Sequence, residues 1–165
     1  ASPDRIWPLL RGIPDVRPGD GTWTFTQDVL GVPRPLGAHM LGDGIGAVRM
    51  ADWGRQVRFR EHIIDWQPGR SIGWRFDFRG LDAWQFTDRH LMPDSAYFKV
   101  PTGGYRMEPA GPGRPRVIID THYWMQTPVN GYSRLWGEIF LGDIEKNLLV
   151  LIKQRAERPV APTIL

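Results

Sequence analysis

The stretch "YSRLWGEIFLGDIEKNLLVLIKQRAE" at residues 132–157 decides the fold, because its apolar residues recur at the spacing of one face of a long helix. At about 100° per residue, one continuous apolar sector contains Trp136, Phe140, Ile144, Leu148 and Leu151. Asn147 falls inside this sector, and Asp143 lies one turn earlier at its edge. An unpaired buried amide costs roughly 1–3 kcal/mol. Asn147 therefore either bonds to a neighbouring backbone group or a trapped water in a sealed core, or faces a cavity that holds a ligand or water.

Length and composition predict one domain. The 165 residues are 41% hydrophobic and 12% aromatic, which is enough to fill one core, so residues 1–165 are interpreted as a single domain. The sequence has no run of about 18 apolar residues and no recognisable leader, which predicts no membrane span in this chain. Without cysteine, disulfides and thiolate chemistry are excluded, and the predicted location is the reducing cytoplasm.

Charge and motifs exclude several kinds of function. The net charge is +3, and the 21 basic residues are spread along the chain without a nucleic-acid motif, so nucleic-acid binding is not expected. The four histidines are far apart and form no pair with metal-ligand spacing, which predicts no metal site. There is no GxSxG motif, and the glycines of "GDGIG" (42–46) lead into a strand rather than a helix. We therefore expect no covalent nucleophile, no nucleotide site and no cofactor.

From residue 44 onward the apolar pattern changes to a period of two, which predicts a series of strands. The predicted strands are 45–53, 56–66, 71–78, 96–100, 103–109 and 116–127. The turn sequences "QPGR" (67–70) and "AGPGRP" (110–115) connect neighbouring segments. Neighbouring strands should therefore pair antiparallel as a meander.

The first quarter of the chain is less regular. Residues 2–12 predict a short helix with Ser2 as its N-cap. Residues 13–43 are rich in Gly, Pro and Asp and predict irregular structure, with one strand in the alternating segment "TWTFTQDVL" (22–30). The whole pattern predicts an α+β domain, in which an antiparallel sheet follows a short helix and is covered by a C-terminal helix at about 131–157.

The order of these segments resembles the START/Bet v 1-like helix-grip superfamily, and more narrowly its bacterial polyketide cyclase/dehydrase-like branch. The resemblance rests on "SPDRIWPLL" (2–10), "WGRQVRFREHIIDWQPGRSIGWRF" (53–76), "GGYRMEPAGPGRPRVIIDTHYWMQ" (103–126) and the C-terminal helix, and it spans nearly the whole chain. It implies that the antiparallel sheet is curved and grips the long C-terminal helix, that a hydrophobic cavity lies between them, and that Asn147 and Asp143 face the interior of this cavity.

One departure from the superfamily concerns the start of the chain. Such proteins usually begin with a strand before the first helix, whereas this sequence opens at "ASPDRIW" (1–7) without one. One open interpretation of this start is that the sequence is a fragment of a longer protein. Some similar bacterial proteins carry transmembrane helices upstream, so a parent tethered at the cytosolic face of a membrane is an open alternative.

Strand phase selects candidate cavity residues. Positions 57, 59, 61 and 63 share one face, which puts Glu61 among apolar side chains, and Trp74 and Phe76 share a face of the next strand. On the last strand both faces are bulky, and we favour the face of Tyr123 as the inward one. The resemblance then implies ligand-binding positions at Glu61, Trp74, Phe76, Tyr105, Tyr123, Trp136, Phe140, Asp143, Asn147 and Leu151.

Three residues are candidates for acid–base chemistry. Glu61 either pairs with one of the many arginines, or accepts from a ligand hydroxyl, or acts as a general base whose pKa is raised by burial. Asp88 and His90, in "TDRHLMPD" (87–94), share one side of a strand or loop. They are interpreted either as a surface pair or as a carboxylate that orients an imidazole.

Three functions remain open. The favoured one is non-catalytic binding of an apolar small molecule, such as a lipid, polyketide or sterol. The second is a cyclase or dehydratase that uses the same cavity without a metal or covalent nucleophile. The third is a protein-interaction domain, as in chaperone-activating relatives. A deep, mostly apolar cavity favours the first, convergent polar groups favour the second, and a collapsed cavity favours the third.

Overall fold

The computed structural model describes residues 1–54, 57–79, 93–126 and 130–159. Their elements, in chain order, are α1 (Pro3–Arg11), α2 (Phe25–Asp28), β1 (Pro35–Leu41), β2 (Val48–Trp53), β3 (Val57–Gln67), β4 (Ser71–Asp77), β5 (Phe98–Pro109), β6 (Pro115–Met125) and α3 (Asn130–Glu157). This is the predicted α+β layout, a curved antiparallel sheet between a short N-terminal helix and a long C-terminal helix. Within these ranges, none of the helices combines the length and apolar character that crossing a bilayer requires.

The sheet is a meander in which each strand pairs antiparallel with its neighbour in sequence, in the order β1-β2-β3-β4-β5-β6. The turn from β3 to β4 contains Gly69 at a φ of +72°, a conformation that favours glycine. Along β3 the side chains of Val57, Phe59, Glu61 and Ile63 are buried and alternate with more exposed positions. The predicted phase of this strand is therefore confirmed.

The close-packed core lies under the C-terminal half of α3. It joins α1, the sheet and α3 through the buried side chains of Ile6, Leu10, Ile63, Ile72, Leu151 and Ile152. The N-terminal half of α3 is packed differently, since Tyr132 and Leu135 are exposed and Trp136 and Phe140 are half-buried. The two halves of the helix therefore cover different parts of the sheet, a sealed core and a more open region.

The predicted strand at 22–30 is wrong. This segment contains the short helix α2, because the Thr24 hydroxyl oxygen accepts a hydrogen bond from the Gln27 N–H at 3.3 Å and caps the helix start. The Thr24 N–H in turn donates to Asp28 at 2.7 Å. The alternation of residues 22–30 is too short to distinguish a strand from a single capped turn.

Two further differences concern the sheet. The edge strand β1 was not predicted, since residues 13–43 have the composition of a loop. It is a strand because its backbone pairs antiparallel with β2. The predicted strands 96–100 and 103–109 form one strand, β5. Its register against β6 shifts between Lys99 and Thr102, next to Pro101, which has no N–H to donate.

Candidate functional site

A cavity of about 600 Å³ lies between the sheet and the N-terminal half of α3. Its sheet side includes Ala51, Val57, Phe59, Trp74, Phe76, Phe78 and Val100, and its helix side includes Trp136, Phe140, Ile144 and Leu148. Leu30, Tyr97 and Tyr132 line the cavity and are also exposed. The cavity is therefore partly open to solvent.

Aromatic rings form much of the sheet wall. The rings of Phe76 and Phe78 stack with centroids 5.4 Å apart, and the ring of Phe59 lies 5.3 Å from Phe78 and 5.8 Å from Phe76. Across the cavity, Trp136 and Phe140 are one helical turn apart with centroids at 5.4 Å. These walls present broad apolar surfaces to whatever lies between them.

A buried ion pair lies at the sheet wall. Arg49 of β2 is directly opposite Glu61 of β3, and its Nη1 atom lies 2.5 Å from Glu61 Oε2. Both side chains are 5% exposed. The Arg49 guanidinium also lies over the rings of Trp74 and Tyr105, at 5.0 and 5.8 Å from their centroids. Burial raises the pKa of the Glu61 carboxyl, and the charge of Arg49 opposes that shift.

A second carboxyl group lines the opposite wall. Glu145 of α3 is half-buried and lines the cavity together with Thr121 of β6. Burial raises the pKa of Glu145, whereas a hydrogen bond with the Thr121 side chain lowers it. The cavity thus holds one arginine and two carboxyl groups among its described charged residues, set in otherwise mostly apolar walls.

Asn147 does not face the cavity, so the interpretation that it meets a ligand is wrong. Its Oδ1 atom accepts a hydrogen bond from the Thr22 N–H at 2.8 Å, and its Nδ2 atom donates to Gln27 Oε1 at 2.8 Å. Asp143 likewise accepts from the Thr26 N–H at 2.9 Å. Both residues fasten the segment around α2 to α3, which is why the amide can be 2% exposed without an unpaired group.

Most of the other predicted positions line the cavity, namely Glu61, Trp74, Phe76, Tyr105, Trp136, Phe140 and Leu151. Tyr123 is the exception. It lies on the inward face of β6, as predicted, where Thr121 and Met125 are also half-buried. However, its ring packs beneath Gly137 and its hydroxyl donates to Glu138 at 2.8 Å, so it does not line the cavity.

The catalytic candidates Asp88 and His90 lie outside the described residues. Glu61 is described, and it both pairs with an arginine and lines the cavity. Within the described ranges, no group of three or more His, Cys, Asp or Glu side chains could hold a metal ion.

Sequence analysis missed Arg49, Thr26 and Glu145, which all line the cavity. Strand phase contained the signal for Arg49, because it shares a face of β2 with Ala51. Helical spacing contained no signal for Glu145, because at about 100° per residue it falls roughly 60° beyond Leu148, outside the apolar sector. Thr26 carried no such signal, because α2 was not predicted.

Neither the family models nor the curated proteins nor the solved structures include a match to this chain.

Proposed function

We propose that this protein binds an apolar small molecule between its sheet and α3. The observation that carries the proposal is a cavity of about 600 Å³ with mainly aromatic and aliphatic walls. Protein interiors are close-packed and keep few voids larger than a water molecule. Ligand pockets, in contrast, have volumes of about 300–1,000 Å³ and predominantly apolar linings. A space of this size is better explained by a ligand than by imperfect packing.

The layout supports the same proposal. The curved sheet, the long C-terminal helix and the space between them agree with the arrangement that the resemblance to the helix-grip superfamily implies. Membership of that superfamily, in its polyketide cyclase/dehydrase-like branch, is part of the proposal. A lipid, polyketide or sterol-like ligand would gain affinity mainly by burial, at about 25 cal/mol per Å² of apolar surface.

Binding is favoured over catalysis by the state of Glu61. Its carboxylate is held by Arg49 at 2.5 Å, and a general base needs a lone pair that is directed at the substrate. Burial raises the pKa of Glu61 even against the charge of Arg49, so the geometry of the pair, and not a weakened basicity, disfavours Glu61 as a general base. The open cavity speaks against a domain that serves only as an interaction scaffold.

Filling the cavity should abolish ligand binding. Ala51 is 4% exposed and lines the sheet wall, so the ring of Ala51→Phe would occupy ligand space. We expect this variant to bind the uncharged dye N-phenylnaphthylamine at least about tenfold more weakly than the unaltered protein, measured by fluorescence titration. Leu148→Trp narrows the cavity from the helix side and should act in the same direction.

The matched control is Ala110→Phe, which adds the same ring at an exposed position after β5. Its dye affinity should stay within about twofold of the unaltered protein. Thermal melts establish that each variant is folded. Folded Ala51→Phe and Leu148→Trp proteins that bind the dye as tightly as the unaltered chain would refute the proposed site.

A further inference from the structure

Among the described residues that line the cavity, two side-chain N–H donors and the Thr26 hydroxyl are buried without a hydrogen-bond partner. The Nε atom of Arg49 and the Nε1 atom of Trp74 are buried, and neither bonds to any group in the described parts of the chain. Both side chains line the cavity. Buried N–H groups in folded proteins are nearly always paired. The two unpaired donors therefore point to an acceptor that the ligand supplies.

The two donors belong to neighbouring side chains. The guanidinium carbon of Arg49 lies 5.0 Å from the centroid of the Trp74 ring. Trp74 is opposite Gly103 in the β4–β5 ladder, and a Cβ at residue 103 would lie 3.2 Å from Trp74 Nε1. The same Cβ would lie 3.1 Å from the Phe76 ring, so Gly103 and Phe76 together border this donor on the sheet side, and Gly103 leaves room there that a side chain would take.

The charges around the donors favour an uncharged acceptor. The charge of Arg49 is matched by Glu61 at 2.5 Å. The other charged side chain among the described lining residues is Glu145, which is also acidic. A ligand carboxylate would therefore meet no unmatched positive charge and would add a further negative charge to a buried site. A carbonyl oxygen accepts from the same donors without that cost.

We propose that the ligand is an apolar molecule with an uncharged acceptor oxygen, such as a ketone or ester carbonyl, which binds at Arg49 and Trp74. This inference rests on the proposed function and adds the chemical class of the ligand. It distinguishes such molecules from fatty acids and other apolar carboxylates.

A matched set of three probes tests the inference: ethylnaphthalene, acetylnaphthalene and naphthoate, all substituted at the same ring position. Acetylnaphthalene has nearly the shape of ethylnaphthalene but carries a carbonyl oxygen, and naphthoate is ionised at neutral pH. Dissociation constants are measured by displacement of N-phenylnaphthylamine. The relevant readout is the ratio of the ethyl to the acetyl dissociation constant in each protein, because it cancels changes that affect both probes.

Trp74→Phe keeps an aromatic ring and removes the donor. We expect it to lower this ratio about five- to tenfold, the effect of one lost hydrogen bond. Gly103→Ala, which crowds the space beside Trp74 Nε1, should lower the ratio in the same direction. Phe140→Leu removes apolar contact on the helix wall rather than beside either donor, so it should weaken both probes and leave the ratio within about twofold. Thermal melts confirm that each variant is folded.

The outcomes separate the inference from the proposed function. A ratio that Trp74→Phe and Gly103→Ala leave unchanged overturns the role of the donor, even though the probes bind. Naphthoate that binds the unaltered protein as tightly as acetylnaphthalene overturns the preference for an uncharged oxygen. Failure of the dye and all three probes to bind overturns the proposed function itself.

Discussion

Replacing Arg49 with methionine should lower the free energy of unfolding by about 3–5 kcal/mol at neutral pH, because Glu61 would then keep a buried carboxylate without the guanidinium that pairs with it. Both side chains of the pair are 5% exposed, so water solvates the Glu61 carboxylate poorly once its partner is lost. Urea denaturation measures the loss. The control is Arg58→Met. It breaks the ion pair of Arg58 with Asp52, which joins the same two strands at 3.1 Å, but in this pair the arginine is 69% exposed. That change should cost less than about 1 kcal/mol.

The loss in Arg49→Met should also depend on pH. Burial raises the folded-state pKa of Glu61 above its ordinary value of 4.5, and removal of Arg49 should raise it further. A carboxyl group with a raised folded-state pKa favours the folded protein in its protonated form. The destabilisation should therefore be smallest below about pH 4.5 and grow as the pH rises through the folded-state pKa.

The double variant Arg49→Met with Glu61→Leu removes both charges and should recover most of the stability, to within about 1 kcal/mol of the unaltered protein. Its pH dependence should lack the contribution of Glu61. Equal stabilities for Arg49→Met, Arg58→Met and the unaltered protein at neutral pH would show that the pair is not buried as described.

Replacing Asn147 with leucine should destabilise the protein by about 3 kcal/mol. The Thr22 N–H and the Gln27 side-chain oxygen would each lose a hydrogen-bond partner. Each unpaired buried group costs about 1–3 kcal/mol. Leucine also has little room, since Gly21 is so close that a Cβ there would lie 2.1 Å from Asn147 Oδ1. Urea denaturation measures this change. The affinity for N-phenylnaphthylamine should stay within about twofold, because Asn147 does not line the cavity.

Gln154→Leu is the matched control for Asn147→Leu. Gln154 bonds the same segment, accepting from the Gly21 N–H at 2.8 Å and donating to the Gly21 carbonyl at 3.0 Å, but it is exposed. Water can replace these bonds, so we expect a cost below about 1 kcal/mol. An Asn147→Leu protein that is as stable as the unaltered chain and binds the dye more weakly would instead put this amide in the cavity.

Sequence patterns predicted the elements whose apolar residues recur at a regular spacing. The period of two along β3 and the apolar sector of α3 each extend over enough residues to fix the element and its buried face. β1 and α2 could not be predicted in this way. β1 is a strand because β2 pairs with it, and α2 is held by the bond from the Thr26 N–H to Asp143, 117 residues away.

The same limit applies to the candidate site. Phase placed Glu61 and Trp74 on the cavity wall because a sheet face is continuous. It could not distinguish Asn147 from a cavity residue, since one helical sector covers the cavity, the core and the segment around α2. The partner that decides the role of Asn147 is Thr22, 125 residues away, and helical spacing contains no information about it.

The central claim is that one apolar molecule lies between the sheet and α3 and contacts both. Intermolecular nuclear Overhauser effects between N-phenylnaphthylamine and the methyl groups of a methyl-labelled protein test it most directly. We expect effects to Val57 on the sheet wall and Leu148 on the helix wall in the same saturable complex. Effects confined to exposed methyl groups that do not line the cavity, such as those of Leu41 and Leu135, would contradict the account.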